Sequence, residues 1–131
     1  MESPASPAAV SKKMLWTGRV LSALPVLLML FSAAMKFSNS PELAKGFGHL
    51  GWPVSLAAAL GILEIACIVV YLIPRTAVLG AILVTGYLGG AIATHVRVGD
   101  PVYMHVVLGV LVWGGLYLRD ARLPALIPLA R

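Results

Sequence analysis

The sequence predicts an all-α protein, an antiparallel bundle of four transmembrane helices with N and C termini cytoplasmic. Three observations predict it. Apolar residues make up 60% of the 131-residue chain and charged residues 11%, whereas soluble domains carry roughly 25% charged residues. A chain this short has too little interior to hide so much apolar side chain from water. The charges sit almost wholly at the ends of apolar runs, and the runs approach the ~20 residues needed to cross hydrocarbon.

Residues 1–13 read as a cytoplasmic tail, Pro-, Ala- and Ser-rich over 1–10 and expected to be disordered there. A membrane domain follows over residues 14–122, with helices at about 15–36, 53–73, 76–96 and 101–118. The first helix has an uncharged stretch from Val20 to Met35, bracketed by Arg19 and Lys36, which can snorkel. Pro25 should bend it. Its apolar core is longer than a signal-peptide h-region, so a retained span is the expectation rather than a cleaved leader. In the loop after it, Ser40-Pro41-Glu42 has the order of an N-cap, a first-turn proline and an acid at the positive end of the dipole. A short helix over 41–46 should follow, broken by Gly46, Gly48 and Gly51. Phe47, Leu50 and Trp52 suit the membrane interface.

Pro53 opens the second span and Pro74-Arg75 ends it. Gly99 and Asp100-Pro101 make a tight connection between the third and fourth. Arg119, Asp120 and Arg122 stop the fourth. Residues 123–131 form a short C-terminal tail, too short to span and suited to the membrane surface. Seven basic residues (Lys12, Lys13, Arg19, Arg75, Arg119, Arg122 and Arg131) lie on one side, against Lys36, Lys45 and Arg97 on the other. The positive-inside rule then places both termini in the cytoplasm. The net charge of +5 is thus topological. No basic run with interleaved aromatics points to nucleic acid. The one cysteine, Cys67, can make no internal disulfide and reads as a small buried hydrophobe. Gly86 and Gly90 have small-xxx-small spacing, which brings helices together within the bundle or in a homodimer.

Glu64 is the most informative residue. It falls near the middle of the second span, hence near the bilayer midplane, where an unpaired carboxylate costs several kcal/mol. It is therefore protonated, paired or facing a polar cavity. Both a ligand- or proton-handling acid and a packing-fixing hydrogen bond fit it. Lys36 either snorkels alone or links to Glu64, though a full ion pair would need Glu64 nearer the outer half than this placement gives. His95 and His105 flank the outer connection and can meet across it. With His49 they put three histidines on the outer side, but without ligand spacing or an adjoining aspartate or cysteine, so no metal site is expected. Tyr87, Thr94 and Tyr103 can add polar edges to a haem or quinone pocket. No nucleophile triad and no phosphate loop are present, and the glycines of Gly86-Tyr87-Leu88-Gly89-Gly90 lie within a span.

The run from Gly80-Ala81-Ile82 through Gly86-Tyr87-Leu88-Gly89-Gly90-Ala91-Ile92-Ala93-Thr94-His95-Val96-Arg97 resembles the third helix of the DoxX-like family. Ser32-Ala33-Ala34-Met35-Lys36-Phe37, His49-Leu50-Gly51-Trp52-Pro53, Gly61-Ile62-Leu63-Glu64 and Ile73-Pro74-Arg75-Thr76 match in order, so the resemblance covers about residues 18–120. It implies a four-helix membrane protein, with the bacterial inner membrane as its expected place. Lys36, Glu64, Arg75, His95 and Arg97 carry over by motif. Relatives include subunits associated with a thiosulfate:quinone oxidoreductase and with a membrane oxidoreductase complex. A more distant branch resembles the vertebrate chaperone for nicotinic receptor assembly. Fold alone does not choose among such activities, and this chain has neither a dithiol nor a cofactor motif.

The expected function is an accessory membrane subunit, without catalysis of its own. It would bind a small lipophilic molecule, a quinone being the candidate cofactor, in an outer-half pocket lined by Lys36, Glu64, Tyr87, His95 and His105. Glu64 and His95 would exchange hydrogen bonds with the ligand, and Lys36 would attract an anionic group. The alternatives are a scaffold or assembly chaperone gripping partner helices, and, last, a small dimeric transporter.

Overall fold

The computed structural model describes residues 10–126. Most of the expected N-terminal tail lies outside these residues, and the first helix already begins at Lys12. Ser11 caps it by accepting a 3.2 Å hydrogen bond from the Met14 amide. The elements are α1 (Lys12–Met35), α2 (Pro41–Leu50), α3 (Ala57–Leu72), α4 (Ala77–Arg97), α5 (Tyr103–Arg119) and α6 (Arg122–Leu126). Short 3₁₀ turns at Val54–Leu56 and Pro74–Thr76 lead into α3 and α4. No strand occurs among the described residues. Three stretches are long and apolar enough to cross a membrane: Lys12–Met35, Val54–Leu72 and Pro74–Arg97. Tyr103–Arg119 is a shorter apolar helix.

The four longer helices close into a ring. α1 packs on α3 and α5, and α4 packs on the same two, so α1 and α4 stand diagonally. The core holds Val26, Met29, Ile68, Tyr71, Val84 and Leu116. The outward faces are apolar too: Leu27, Phe31, Ile62, Leu79 and Val110 are all exposed. Helices apolar on every side belong in lipid rather than water.

α2 departs from expectation. It runs through Gly46 and Gly48 and ends only at Gly51, whose φ of +78° is the left-handed C-cap conformation that favours glycine. Each interior glycine costs about 1 kcal/mol, and burial of Phe47 under the helix offsets about 2 kcal/mol. The start is as the residues promised, with Ser40 Oγ accepting from the Leu43 amide at 3.2 Å. Helix α1 passes without interruption through Pro25, whose ring is buried.

Close approach of helices occurs away from Gly86 and Gly90. A Cβ on Gly80 would land on the backbone of Tyr71, so α3 and α4 can meet there only because glycine lacks one. A Cβ on Gly18 would sit 2.7 Å from the Gly115 carbonyl oxygen, where α1 meets α5. Gly86 and Gly90 bring no helix together within the chain: nothing lies within 4 Å of a Cβ at either. Both are exposed, because α4 turns a different face, Ala77, Gly80, Ala81, Val84 and Leu88, to the bundle.

Below the core centre, Tyr71 ties three helices. Its hydroxyl lies 2.9 Å from Ser22 Oγ on α1 and 2.7 Å from the Val112 carbonyl on α5. Arg119 Nε donates to the same Ser22 hydroxyl at 3.0 Å, and its guanidinium lies over the Tyr71 ring, 4.9 Å from the centroid. The segment after α5 is more than a surface tail. Leu123 of α6 joins the core, and Arg122 binds back to Asp120 at 2.7 Å and to the Pro74 carbonyl at 3.0 Å. The Arg122 hydrogen bonds hold the Asp120 carboxyl below its ordinary value of 3.8. This depressed acid stabilises the fold above the ordinary carboxylate value, and the contribution fades as pH falls through the lower folded value.

Two substitutions on α4 separate packed glycine from open glycine. Gly80→Leu is expected to lower the unfolding free energy in mixed micelles by about 3 kcal/mol. Gly86→Leu is expected to change it by no more than about 0.5 kcal/mol. Equal losses would contradict the packing described. Tyr71→Phe should cost about 1 kcal/mol in the same assay, through the lost hydroxyl contacts.

Candidate functional site

At the α2 end of the bundle, α1, α3 and α4 leave a cavity of about 540 Å³. Its walls are apolar at Leu56, Leu60 and Leu63 of the α3 arm, and open at Gly86, Gly90 and Ala91 of α4. Polar groups enter from Ser32, Lys36, Tyr87, Thr94, His95 and His105. Phe47, Leu50 and Trp52 close it from the α2 side.

Lys36 follows the last turn of α1 and folds back along it, bringing Nζ to 2.7 Å from Ser32 Oγ. The same Nζ stands 2.9 Å from Glu64 Oε2. This is the ion pair that the expected midplane position of Glu64 argued against. The reach comes from Lys36, whose long side chain folds back along α1 toward the core. Glu64 itself stays midway along α3, seven residues from Ala57 and eight from Leu72. Oε2 also accepts from Tyr87 OH at 3.2 Å and from Ser32 OH at 3.5 Å. Three helices thus contribute donors or the acceptor to one carboxylate oxygen.

Burial is lopsided in the pair. Glu64 keeps 2% of its side-chain surface exposed and Lys36 14%. Consequently the carboxylate does not line the cavity, contrary to the sequence expectation. It stands behind Ser32, Lys36 and Tyr87 and holds them. A buried ion pair is sustained only where further hydrogen bonds satisfy its charges, and Tyr87 and Ser32 supply them. Because Glu64 neutralises Lys36, the expected attraction of Lys36 for an anion loses its charge.

His95 and His105 do meet, with ring centroids 4.7 Å apart and planes tilted by 45°. His95 Nδ1 lies 2.8 Å from the Ala91 carbonyl oxygen. A carbonyl only accepts, so Nδ1 carries a proton, and in the neutral ring Nε2 is left as an acceptor. His105 Nδ1 is buried with no hydrogen-bond partner among the described residues. Native interiors rarely leave a polar atom in that condition. His105 also borders a second, almost wholly apolar groove between α4 and α5, along Gly89, Gly109 and Trp113. His49 goes elsewhere: its Nε2 lies 2.9 Å and 3.0 Å from the two carboxylate oxygens of Asp100. This partner comes from a distant part of the chain, because the α4–α5 turn carries Asp100 up to α2. Among the described residues no three His, Cys, Asp or Glu side chains gather as a metal-binding group.

Helix α2 is anchored over the cavity by two polar contacts. One is His49–Asp100, and the other is the hydrogen bond from Arg97 Nη2 to the Leu50 carbonyl. The missing side chain at Gly51 leaves room for that guanidinium, which would stand 3.1 Å from a Cβ there. Sequence reasoning did not assign Ser32, Phe47, Leu50 or Trp52 to the site. For Ser32 a signal existed, since it precedes Lys36 by four residues and shares its helix face.

The sequence model of the DoxX-like family matches residues 20–115. The chain belongs to the DoxX-like family. The matched span of this DoxX-like protein takes in Lys36, Glu64, Tyr87, His95 and His105 and stops short of Arg119 and α6. No curated protein and no solved structure gave a match.

A double-mutant cycle tests the buried pair. Glu64→Gln leaves a nearly buried ammonium and Lys36→Met leaves a buried carboxylate, so each is expected to cost about 3 kcal/mol of unfolding free energy. The double variant should cost less than the sum by at least about 1 kcal/mol. Strict additivity would show that the two groups do not interact.

Proposed function

We propose that this DoxX-like protein is an accessory membrane subunit that holds a neutral lipophilic molecule with carbonyl or hydroxyl groups, a quinone foremost, in the cavity beneath α2. The observation that carries this reading is a largely apolar cavity edged by a few polar side chains, Tyr87, Thr94, His95 and His105. That combination is the usual form of a site for a small lipophilic ligand. His95 Nε2, with its tautomer set by Ala91, offers an acceptor to a ligand hydroxyl. The small residues Gly86, Gly90 and Ala91 leave a shallow strip on which a flat ring can lie. The neutralised Lys36 favours an uncharged ligand over an anion.

In this reading α5 is the fourth crossing. Its 17 residues span about 26 Å, slightly less than the ~30 Å hydrocarbon core, and Arg119 snorkels at its end. Both termini are cytoplasmic, by the surplus of basic residues at their end. The α2 end then faces outward from a bacterial inner membrane. Association with a membrane oxidoreductase rests on the family likeness, and the chain performs no catalysis alone.

A second reading has one specific support. The open Gly86 and Gly90 face suits a partner helix or a second copy of the chain. The protein would then be a scaffold or assembly chaperone.

Solvent extraction of the purified protein with mass analysis of the extract separates the two. About one lipophilic molecule per chain is expected, falling about tenfold in Gly90→Leu, whose side chain would enter the cavity without touching the protein core. Wild-type protein that yields no lipophile overturns the ligand reading. If the Gly90→Leu variant instead loses a co-purifying membrane protein, the scaffold reading takes its place.

A further inference from the structure

The opposite end of the bundle holds a cavity of a different character. It has a volume of about 480 Å³ and lies against α1, the end of α3 and the end of α5. Two arginines, Arg19 and Arg119, line it together with apolar walls from Leu15, Val26, Leu27 and Leu72. The ion pairs among the described residues are Lys36–Glu64, His49–Asp100 and Arg122–Asp120. Neither Arg19 nor Arg119 belongs to one. The only acid described at this end, Asp120, is held by Arg122.

Each guanidinium is positioned but outside any ion pair among the described residues; the Arg119 charge reaches the neighbouring Asp120 carboxyl, whose hydrogen bonds go to Arg122. Arg119 spends Nε on Ser22 Oγ and rests on the Tyr71 ring, which leaves its terminal nitrogens without a partner among the described residues. Arg19 lies over the Trp16 ring, 5.0 Å from its centroid, and makes no hydrogen bond among the described residues. Two cations bordering one low-dielectric cavity repel each other unless an anion lies between them. The planar fork of arginine matches the oxygens of a phosphate. A free phosphate would find little use for the Val26, Leu27 and Leu72 walls, whereas an acyl chain would lie along them.

We propose that this cavity binds an anionic phospholipid, its phosphate between Arg19 and Arg119 and an acyl chain along Val26, Leu27 and Leu72. The site is separate from the cavity beneath α2 and does not depend on what that cavity holds. It also differs from a diffuse basic surface, because Lys12 and Lys13 share this end of the chain but do not line the cavity.

Native mass spectrometry of the full chain, released from detergent containing equal amounts of phosphatidylglycerol and phosphatidylcholine, tests it. Phosphatidylglycerol should be retained about tenfold over phosphatidylcholine. Arg19→Gln, which removes only the contact with Trp16, should abolish that preference. Arg119→Gln should do the same if it folds, and Arg19→Gln carries the test if it does not. The Lys12→Gln, Lys13→Gln double variant should keep the preference. Equal retention of both lipids, an unchanged preference in Arg19→Gln, or loss in the lysine variant alone would overturn the site. Displacement of phosphatidylglycerol by millimolar inorganic phosphate would also overturn it, since the acyl walls would then contribute nothing.

Discussion

A carboxylate placed inside an apolar helix has to be matched by donors from its neighbours, because lipid offers none. Glu64 meets that demand by drawing Ser32 and Lys36 from α1 and Tyr87 from α4 onto one oxygen. The consequence reaches beyond charge. Hydrogen bonds at 2.9–3.2 Å tolerate little sliding, so the contact fixes how far α1 and α4 are shifted along α3. The walls of the cavity beneath α2 take their relative heights from that register. The same contact cancels the charge of Lys36, which changes what the cavity can hold.

Helix α3 is the spine of the arrangement. Five of its six buried positions, Ala57, Gly61, Glu64, Ile68 and Tyr71, recur at alternating spacings of four and three, with Cys67 beside them, the pattern by which one helix seats in the grooves of its neighbours. Two of those positions are polar, and each gathers partners from more than one helix: Glu64 toward α2, Tyr71 toward the other end. Between them the packing is apolar. The bundle is therefore pinned at two levels by directed contacts, and dispersion between close-packed side chains holds the rest, since lipid supplies no hydrophobic drive between helices. Both cavities with polar edges lie beside these two levels, where the polar residues were already required.

How much was legible in the residues follows from the same physics. Apolar runs bounded by charge identify helices in lipid regardless of tertiary detail, so the long apolar helices were foreseen, whereas the short α6 was not. The facing of each helix was less legible. In water an apolar stripe marks the inside, but here Leu27, Ile62 and Leu79 are apolar and exposed, so the stripe carries no such information. For that reason Gly86 and Gly90 were assigned to helix packing while Gly80 makes the close approach. The end of α2 was misjudged because the glycine content was weighed without the burial of Phe47.

The sequence by itself determined that the chain lives in a membrane, that it is helical, which family it resembles and which few polar residues needed an explanation. Those conclusions depend on solvent preference and local propensity, which each segment carries alone. The tertiary structure decided that Lys36 pairs with Glu64, that the carboxylate stands behind the cavity rather than in it, that His49 turns to Asp100, and that Arg19 shares a cavity with Arg119. Each of these depends on the axial offset between helices distant in the chain. That offset is the joint result of every contact along them, and no single segment encodes it.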